Sequence, residues 1–292
     1  MAQIWIISDG KPGHLNQSLG LAEALQRRCP QLEITQHAPL SLHQQLASLF
    51  STSAAQVDLL VGAGHATHRS LLLLGRQLKV PAVVLMKPSL PLSWFDLCLI
   101  PEHDQPSARA NVVPTRGALN RMLPGVKTAN SGMLLIGGPS KHVTWHEDRL
   151  LAQLQSLIAQ QPRRTWQLTT SRRTPESTLT KLLQLPGVEV FPAAETPSGW
   201  LPDKLATTEV CWVTEDSVSM IYEALSAGCQ VGTLAVEGGR LGRLGSGLQR
   251  LEQQALISSL EQVLTGQPMQ SATVLDEAGR CAELILQRGW CQ

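Results

Sequence analysis

The 292-residue chain lacks the features that mark several large classes of protein. Its 24 basic and 23 acidic residues leave a net charge of +1, far from the basic excess that nucleic-acid binding requires. None of its six cysteines forms a Cys-x-x-Cys pair, which argues against a zinc knuckle or a dithiol site. No apolar run approaches the ~20 residues that span a bilayer, and no basic segment precedes the apolar start. These absences predict a cytoplasmic protein with reduced thiols and no secretory signal.

What the chain does have is an alternation of short apolar runs and amphipathic stretches of helical length. Hydrophobic residues make up 43% of it and charged residues only 16%, which predicts sizeable cores. A polar, Gly/Pro-containing stretch at 120–131 separates two series of such segments. The expected strands are 4–7, 32–35, 57–62, 82–86, 97–100, 133–136, 165–169, 188–191, 210–213 and 230–236, and the expected helices are 15–25, 66–78, 145–160, 175–185, 218–227, 251–264 and 274–288.

Apolar strands separated by helices are typical of parallel sheets that are covered on both faces. The sequence therefore predicts an α/β protein with two facing, doubly wound, Rossmann-like domains. The first spans 1–125, the second spans 126–273, and the last helix, within 274–292, packs back on the first. Ligands of such folds bind at the carboxyl ends of the strands, so the expected site is the cleft between the two domains.

A glycine-containing loop follows the first strand of each half. In the first half it is 8–14, with Lys11 and Gly13, and it ends in His14. In the second half it is 137–142, where two glycines precede Ser140 and Lys141. Such loops bring backbone N–H groups at a helix start close to an anion, although neither loop matches the dinucleotide or phosphate-loop fingerprints. The alternative for the first loop is a plain turn in which Asp9 caps the helix.

A third segment joins the strand 210–213 to the helix 218–227. Ser217 and Ser219 would lie at the helix N-terminus, where their hydroxyls and the backbone amides could bind a phosphate. Glu223 would lie further along the helix, and a carboxylate there suits the two hydroxyls of a ribose. The alternative is that Asp216 and Ser217 only cap the helix while Glu223 lies on its wet face.

Further polar residues follow other strands. Arg172 and Arg173 come after the strand 165–169, where they would suit a diphosphate or form a solvated charge pair. Lys87, Ser89 and His103 follow strands of the first half, where an acceptor would lie. His65 and His68 have no third ligand nearby in sequence, so no metal site is expected.

Several of these segments together resemble the ELM-type mitochondrial fission protein family. The resemblance is carried by 8–14 with 16–20, by 137–142, by 170–175 and by 214–220. More distantly, the loop that ends in His14 and the segment Glu223-Ala224-Leu225-Ser226-Ala227-Gly228 are similar to parts of the lipid II-forming N-acetylglucosaminyltransferase, in which that Glu holds the donor ribose. Both resemblances imply a two-Rossmann, GT-B type glycosyltransferase.

The resemblance implies transfer of a sugar from a nucleoside-diphosphate sugar to a cell-surface glycan or lipopolysaccharide precursor. The sequence has no Asp-x-Asp metal motif, which favours metal-independent transfer. The nucleotide sugar is a co-substrate and no cofactor is expected. The acceptor would be a glycan or lipid-linked, with peripheral contact at the inner face of the inner membrane allowed. His14 is preferred over Asp9 as general base, since histidine has an ordinary pKa of ~6.5. The donor-binding candidates are Gly137, Gly138, Ser140, Lys141, Arg172, Glu215, Ser217, Ser219 and Glu223, and the acceptor-side candidates are Lys11, Gly13, Lys87, Ser89 and His103.

Three other functions compete with this interpretation. A nucleotide-sugar epimerase would use the same donor pocket and no acceptor. A non-catalytic scaffold, like the mitochondrial fission members, would keep the fold and recruit a partner. A nicotinamide-dependent oxidoreductase is disfavoured by the absence of a Gly-x-Gly-x-x-Gly motif. The spacing of Glu215 and Glu223 leaves open whether transfer inverts or retains the stereochemistry.

Overall fold

The chain consists of two compact units, each built on its own sheet. The computed structural model describes residues 2–41, 57–140, 143–197, 199–238 and 242–291. Unit 1 comprises 1–121 together with 276–292, and unit 2 comprises 122–275. The sequence pattern places the same two boundaries at 125/126 and 273/274.

Unit 1 contains a six-stranded parallel sheet with the strand order β2-β1-β3-β4-β5-β6. Helices alternate with several of its strands, as expected of a doubly wound sheet. Its elements before the second unit begins are β1 (Gln3–Ile7), α1 (Pro12–Arg28), β2 (Glu33–His37), β3 (Leu59–Ala63), α2 (His68–Leu78), β4 (Ala82–Leu85), β5 (Leu97–Pro101) and β6 (Val112–Thr115).

Unit 2 contains a second six-stranded parallel sheet, with the order β12-β11-β10-β7-β8-β9. The last helix of the chain, α9, returns to unit 1 and packs on α1. The remaining elements are β7 (Thr128–Ile136), α3 (Glu147–Gln160), β8 (Thr165–Thr170), α4 (Glu176–Leu182), β9 (Val188–Phe191), α5 (Trp200–Thr207), β10 (Thr208–Thr214), α6 (Val218–Ser226), β11 (Gln230–Leu234), α7 (Gly242–Gln253), β12 (Ile257–Ser259), α8 (Leu260–Leu264) and α9 (Glu277–Gln287).

Both sheets are buried on both faces. In unit 1 one face packs under α1 and α9, while Leu71 of α2 packs on the other. In unit 2 α6 and α7 cover one face and α3 covers the other. The continuous apolar runs of the sequence reflect this two-sided burial, as in β3, where all five residues are buried. The predicted pair of doubly wound parallel sheets is therefore confirmed.

One predicted element is wrong. The sequence pattern predicts a single helix over 251–264, but α7 ends at Gln253, the chain turns through Ala255 at φ +54°, and β12 follows. Ile257 pairs with Val231 at the edge of the sheet. The apolar residues that suggested one long helical face are thus divided among a helix, an edge strand and a short second helix.

The strand orders place a topological switch point in each sheet. In unit 1 the chain leaves β1 for β2 on one side, and β3 then pairs with the other side of β1. In unit 2 the chain leaves β7 for β8 and β9, and β10 then pairs with the other side of β7. Adjacent loops diverge at such a point and leave a crevice at the carboxyl ends of the strands, which is where ligands of doubly wound sheets bind. The loops after β1 and β3, and those after β7 and β10, are therefore the places to look for chemistry.

Lys127 joins the carboxyl ends of two helices in unit 2. Its ammonium donates to Leu205 O at 3.0 Å and Ala206 O at 3.1 Å, at the end of α5. It also donates to Ala227 O at 2.6 Å, directly after α6. Leu205 O also accepts from the Thr208 N–H and Ala206 O from the Gly125 N–H, whereas Lys127 is the donor found for Ala227 O in the described part of the chain. A cation is favourable at the negative end of a helix dipole.

We expect Lys127→Met to lower the free energy of unfolding by about 2 kcal/mol, because it removes the donor to Ala227 O and the cation at the carboxyl ends of two helices. Urea denaturation followed by circular dichroism measures this loss. The matched control is Lys79→Met, at an exposed lysine that follows α2. Equal midpoints for the two variants would contradict the assigned role of Lys127.

Candidate functional site

In unit 1 the loop after β1 holds a carboxylate–imidazole pair at the switch point. His14 Nδ1 lies 3.0 Å and 3.1 Å from the two carboxylate oxygens of Asp9. The Asp9 side chain is 7% exposed and that of His14 is 21% exposed. Lys11 begins the helix without a side-chain cap, so Asp9 does not act as the N-cap of α1. The carboxylate is instead committed to the imidazole.

The electrostatics of this pair fix which nitrogen of His14 is available. Burial raises the pKa of Asp9, but hydrogen bonds from the Lys11 N–H and from His14 outweigh burial and hold that pKa below its ordinary value. An ionised carboxylate can only accept hydrogen bonds, so Nδ1 of the neutral imidazole carries the proton. Nε2 then has its lone pair free, which is the state that a general base requires.

Gly64, which follows β3, makes room for the pair. A Cβ at this position would lie 2.3 Å from His14 Nδ1 and 3.2 Å from Asp9 Oδ2. Its backbone also adopts φ +89°, a conformation that side chains disfavour. The loop after β3 thus packs against the imidazole of His14, and any side chain larger than that of glycine at position 64 would collide with the ring.

The structure places the other unit 1 candidates in loops that follow strands of the same sheet. The Lys11 ammonium is 3.5 Å from Asp9 and its side chain is 70% exposed. Gly13 lies in the first turn of α1, and the Lys87 ammonium donates to Asp104 O at 3.2 Å. Ser89 Oγ is 3.2 Å from His68 Nδ1. His103 is partly buried in a short turn after β5.

His68 is a buried neutral histidine. Burial and, secondarily, the neighbouring His65 lower its pKa to about 4. Its ring packs edge-on against His65 and Phe95. In the ranges of the chain that the structure describes, no group of three or more His, Cys, Asp or Glu side chains is arranged to hold a metal ion.

In unit 2 three loops meet at a single carboxylate oxygen. Asp216 Oδ2 accepts hydrogen bonds from the Gly138 N–H at 3.0 Å, from the Ser217 hydroxyl at 3.0 Å and from Arg173 Nη2 at 2.7 Å. The Asp216 side chain is wholly buried, whereas that of Arg173 is 43% exposed. Arg173 also donates to Gly138 O at 2.7 Å and to Ser217 Oγ at 3.1 Å. The loops after β7, β8 and β10 are therefore tied together at the switch point of the second sheet.

Gly137 allows this close approach. A Cβ there would lie 2.1 Å from Asp216 Oδ2 and 2.4 Å from Ser217 Oγ. The Gly137 N–H donates to Thr214 Oγ1 at 2.8 Å, so the loop is held to β10 on that side as well. The glycine that sequence reasoning assigned to a ligand's approach accommodates an internal carboxylate.

Glu223 lies on α6, the helix that begins at this junction. Its side chain is partly buried, and within the described residues its carboxylate has no hydrogen bond or ion pair. Burial raises its pKa to about 7. An unpartnered carboxyl group in such a place has two oxygens available to a ligand, and retaining it there costs stability.

The remaining donor candidates have different surroundings. Ser219 is exposed in the first turn of α6, and Ser217 begins that helix without using its side chain as a cap. Ser140 and Arg172 are exposed, while Lys141 lies outside the described residues. Glu215 is 1% exposed and lines a cavity of ≈ 750 Å³. Thr233 Oγ1 donates to Glu215 Oε1 at 3.4 Å.

Sequence reasoning chose Arg172 rather than Arg173 as a secondary phosphate-binding candidate, and it regarded Asp216 or Ser217 as the cap of the helix. The structure brings Arg173 to the junction instead, with the Arg173 carbonyl carbon 2.4 Å from where a Cβ on Gly138 would stand. Nothing in the sequence distinguishes two adjacent arginines in a loop. A buried acid beside a helix start was visible, but its partners come from three separate strand ends. Gly64 was likewise not recognised as part of the site.

Three comparisons place the chain among known proteins. The family model for mitochondrial fission ELM1 matches residues 12–289. An uncharacterized protein of Rickettsia prowazekii is 22% identical over 287 residues, which covers 77% of this chain and 81% of that protein.

In the ranges that the structure describes, no helix combines the length and apolarity needed to cross a membrane.

Solved structures share the architecture at low identity. A Listeria monocytogenes protein provisionally named a UDP-N-acetylglucosamine 2-epimerase has a TM-score of 0.62 and 11% identity, covering 98% of this chain and 94% of that one. MurG of Acinetobacter baumannii has a TM-score of 0.50 and 12% identity, covering 98% of this chain and 100% of that one. At these identities the likeness concerns the fold alone. The predicted GT-B class, with two Rossmann-like domains, is confirmed.

Proposed function

Because the chain belongs to the mitochondrial fission ELM1 family and has the GT-B fold, we propose that it is a glycosyltransferase. It would move a sugar from a nucleoside-diphosphate sugar to a cell-surface glycan or lipid-linked precursor. The observation that carries the proposal is Glu223, an unpartnered and partly buried carboxylate on the helix that follows the switch point of unit 2. The name of one structural relative, a UDP-N-acetylglucosamine 2-epimerase, supports a UDP-sugar as the first donor to test.

In this proposal unit 2 binds the nucleotide. Glu223 accepts hydrogen bonds from both ribose hydroxyls, which supply the donors that its carboxylate otherwise lacks. The first-turn N–H groups of α6 and the Ser219 hydroxyl bind the phosphates, helped by the positive end of the helix dipole. Arg173 fixes the neighbouring loops through its hydrogen bonds to Gly138 O, Asp216 and Ser217.

Unit 1 supplies the base. The acceptor hydroxyl attacks the anomeric carbon of the donor sugar, the bond from that carbon to the diphosphate oxygen breaks, and the hydroxyl proton passes to His14 Nε2. Asp9 holds the imidazole through Nδ1 and stabilises the imidazolium that forms. The leaving group is the nucleoside diphosphate, and the N–H groups and dipole at the α6 N-terminus stabilise its charge without a metal ion.

Product analysis tests the proposal against its rivals. The protein is incubated with UDP-[14C]GlcNAc, with and without a membrane glycolipid fraction, and the products are separated by chromatography. A transferase releases UDP and labels the glycolipid only when that fraction is present. An epimerase converts the sugar without acceptor, and a scaffold leaves UDP-sugar and glycolipid unchanged. The last two outcomes each overturn the transferase assignment for this donor.

A further inference from the structure

Three hydrogen-bond donors at the junction of the unit 2 loops already donate to a group of the protein itself. Gly138 N–H, the Ser217 hydroxyl and Arg173 Nη2 all donate to Asp216 Oδ2. A buried carboxylate thus stands where the loops after β7, β8 and β10 converge, immediately before the helix start that would receive the diphosphate. A phosphate bound at this position would therefore lie near the negative charge of Asp216 as well as near hydrogen-bond donors.

We propose that Asp216 is a specificity-determining residue of the donor site, which favours a nucleotide sugar over the free nucleoside diphosphate. This inference rests on the proposed function. The terminal phosphate of UDP carries about one negative charge more than the same phosphate esterified to a sugar. A buried carboxylate beside that phosphate repels the additional charge at a low local dielectric, where Coulomb interactions are strong.

Arg173 offsets the charge of Asp216 but is not free to bind the phosphate. Its guanidinium is held by the loops after β7 and β10. The two Nη atoms donate to Asp216, Ser217, Gly138 O and, at 3.3 Å, Pro139 O. Asp216 and Arg173 together are close to neutral. The net attraction for a phosphate then comes from the helix N-terminus, and an additional charge on the ligand gains little from it.

The chemical consequence is easier product release. The nucleotide sugar binds with one charge on each phosphate, and transfer leaves a terminal phosphate with more charge beside Asp216. Because the charge of Asp216 offsets that of Arg173, the additional charge of the product gains little attraction, and the product complex is not strengthened relative to the substrate complex. A site built only of cations and N–H groups would do the opposite and retain the more charged product.

Asp216→Asn isolates the charge. Asp216 Oδ1 is buried and has no hydrogen-bond partner within the described residues, so an amide NH2 placed there breaks no hydrogen bond. The amide oxygen can still accept from Gly138 and Arg173. The matched control is Asp203→Asn, at an exposed position on α5. Melting temperatures establish that each variant is folded.

Calorimetric titration with UDP and with UDP-GlcNAc is the test. We expect the wild type to bind UDP-GlcNAc at least as tightly as UDP. In Asp216→Asn, UDP affinity should rise about tenfold and UDP-GlcNAc affinity by roughly threefold, while the control changes neither.

Other outcomes overturn it. Equal changes in the affinities for UDP and UDP-GlcNAc, or weaker binding of UDP by Asp216→Asn, would mean that Asp216 only holds the loops together. The proposed function would then be unaffected. If Asp216→Asn does not fold, wild-type protein that prefers UDP to UDP-GlcNAc contradicts the inference by itself. Failure of both proteins to bind either probe would overturn the UDP-sugar donor site and this inference together.

Discussion

Replacing Glu223 by glutamine is expected to weaken nucleoside-diphosphate binding roughly 100-fold while making the protein more stable at pH 8. Binding is lost because glutamine has one acceptor oxygen where glutamate has two, carries no charge, and places an NH2 donor against the ribose hydroxyls. Stability is gained because an ionised carboxylate without a partner is removed from a partly buried position. We expect a gain of about 2 kcal/mol in the free energy of unfolding at pH 8.

The pH dependence has a definite sign. Burial raises the pKa of Glu223 to about 7 from an ordinary value of 4.5, so the folded state holds this proton more tightly than the unfolded state. The carboxyl therefore destabilises the fold progressively as pH rises through 4.5 to 7. Urea denaturation should separate wild type and Glu223→Gln at pH 8 and not at pH 4. Nucleotide affinity of the wild type should rise from pH 6 to pH 8, and that of Glu223→Gln should not.

A comparison of UDP with 2′-deoxy-UDP distinguishes ribose contact from a structural effect. The wild type should prefer UDP, and Glu223→Gln should bind both ligands equally. Glu283→Gln, at an exposed position on α9, is the control and should keep the wild-type preference. A Glu223→Gln protein that still distinguishes the two nucleotides would refute the ribose assignment.

Replacing His14 by glutamine is expected to lower kcat for sugar transfer by about 10³-fold, within the range of general-base catalysis. Glutamine retains a polar group near Asp9 but cannot take the proton of the acceptor hydroxyl. Nucleotide affinity should not change, because the assigned nucleotide-binding residues are all in unit 2. Initial rates with UDP-[14C]GlcNAc, together with calorimetry on the same protein, measure both quantities.

Asp9→Asn tests the orientation of the imidazole. An amide can donate to Nδ1, which moves the proton of the neutral ring to Nε2 and removes the base. We expect a loss approaching that of His14→Gln, with a double variant no worse than His14→Gln alone. His146→Gln, which affects an exposed histidine in unit 2, should retain full activity. Wild-type kcat in His14→Gln would exclude His14 as the base.

The fold was largely predictable because two-sided burial leaves a direct trace in the sequence. The fully buried strand β3 reads as an unbroken apolar run, and each half begins with a strand, a glycine loop and a helix. His14 could also be identified from the sequence as a candidate site residue, since a loop between β1 and α1 must lie at the carboxyl edge of the sheet. The helix expected over 251–264 failed because the apolar residues of β12 have no periodicity that distinguishes them from a helix.

The inner arrangement of the unit 2 site could not be derived in the same way. Arg173 and Arg172 are equivalent in sequence, and only the packing of the loop after β8 against Gly138 selects one of them. The role of Asp216 depends on three strand ends that converge at one oxygen. Sequence patterns locate such loops at an edge of the sheet, but they do not assign a hydrogen bond to its partner.

The central claim is that unit 2 binds a nucleoside diphosphate through Glu223. Thermal unfolding of the wild type and of Glu223→Gln, each with UDP, GDP, CMP or ADP, tests it most directly. A ligand at 100 times its Kd adds about 2.7 kcal/mol to stability, which is easily detected. The account predicts that a nucleoside diphosphate raises the melting temperature of the wild type and that the shift is lost in Glu223→Gln. No shift with any of the four nucleotides, or an equal shift in the variant, would contradict it.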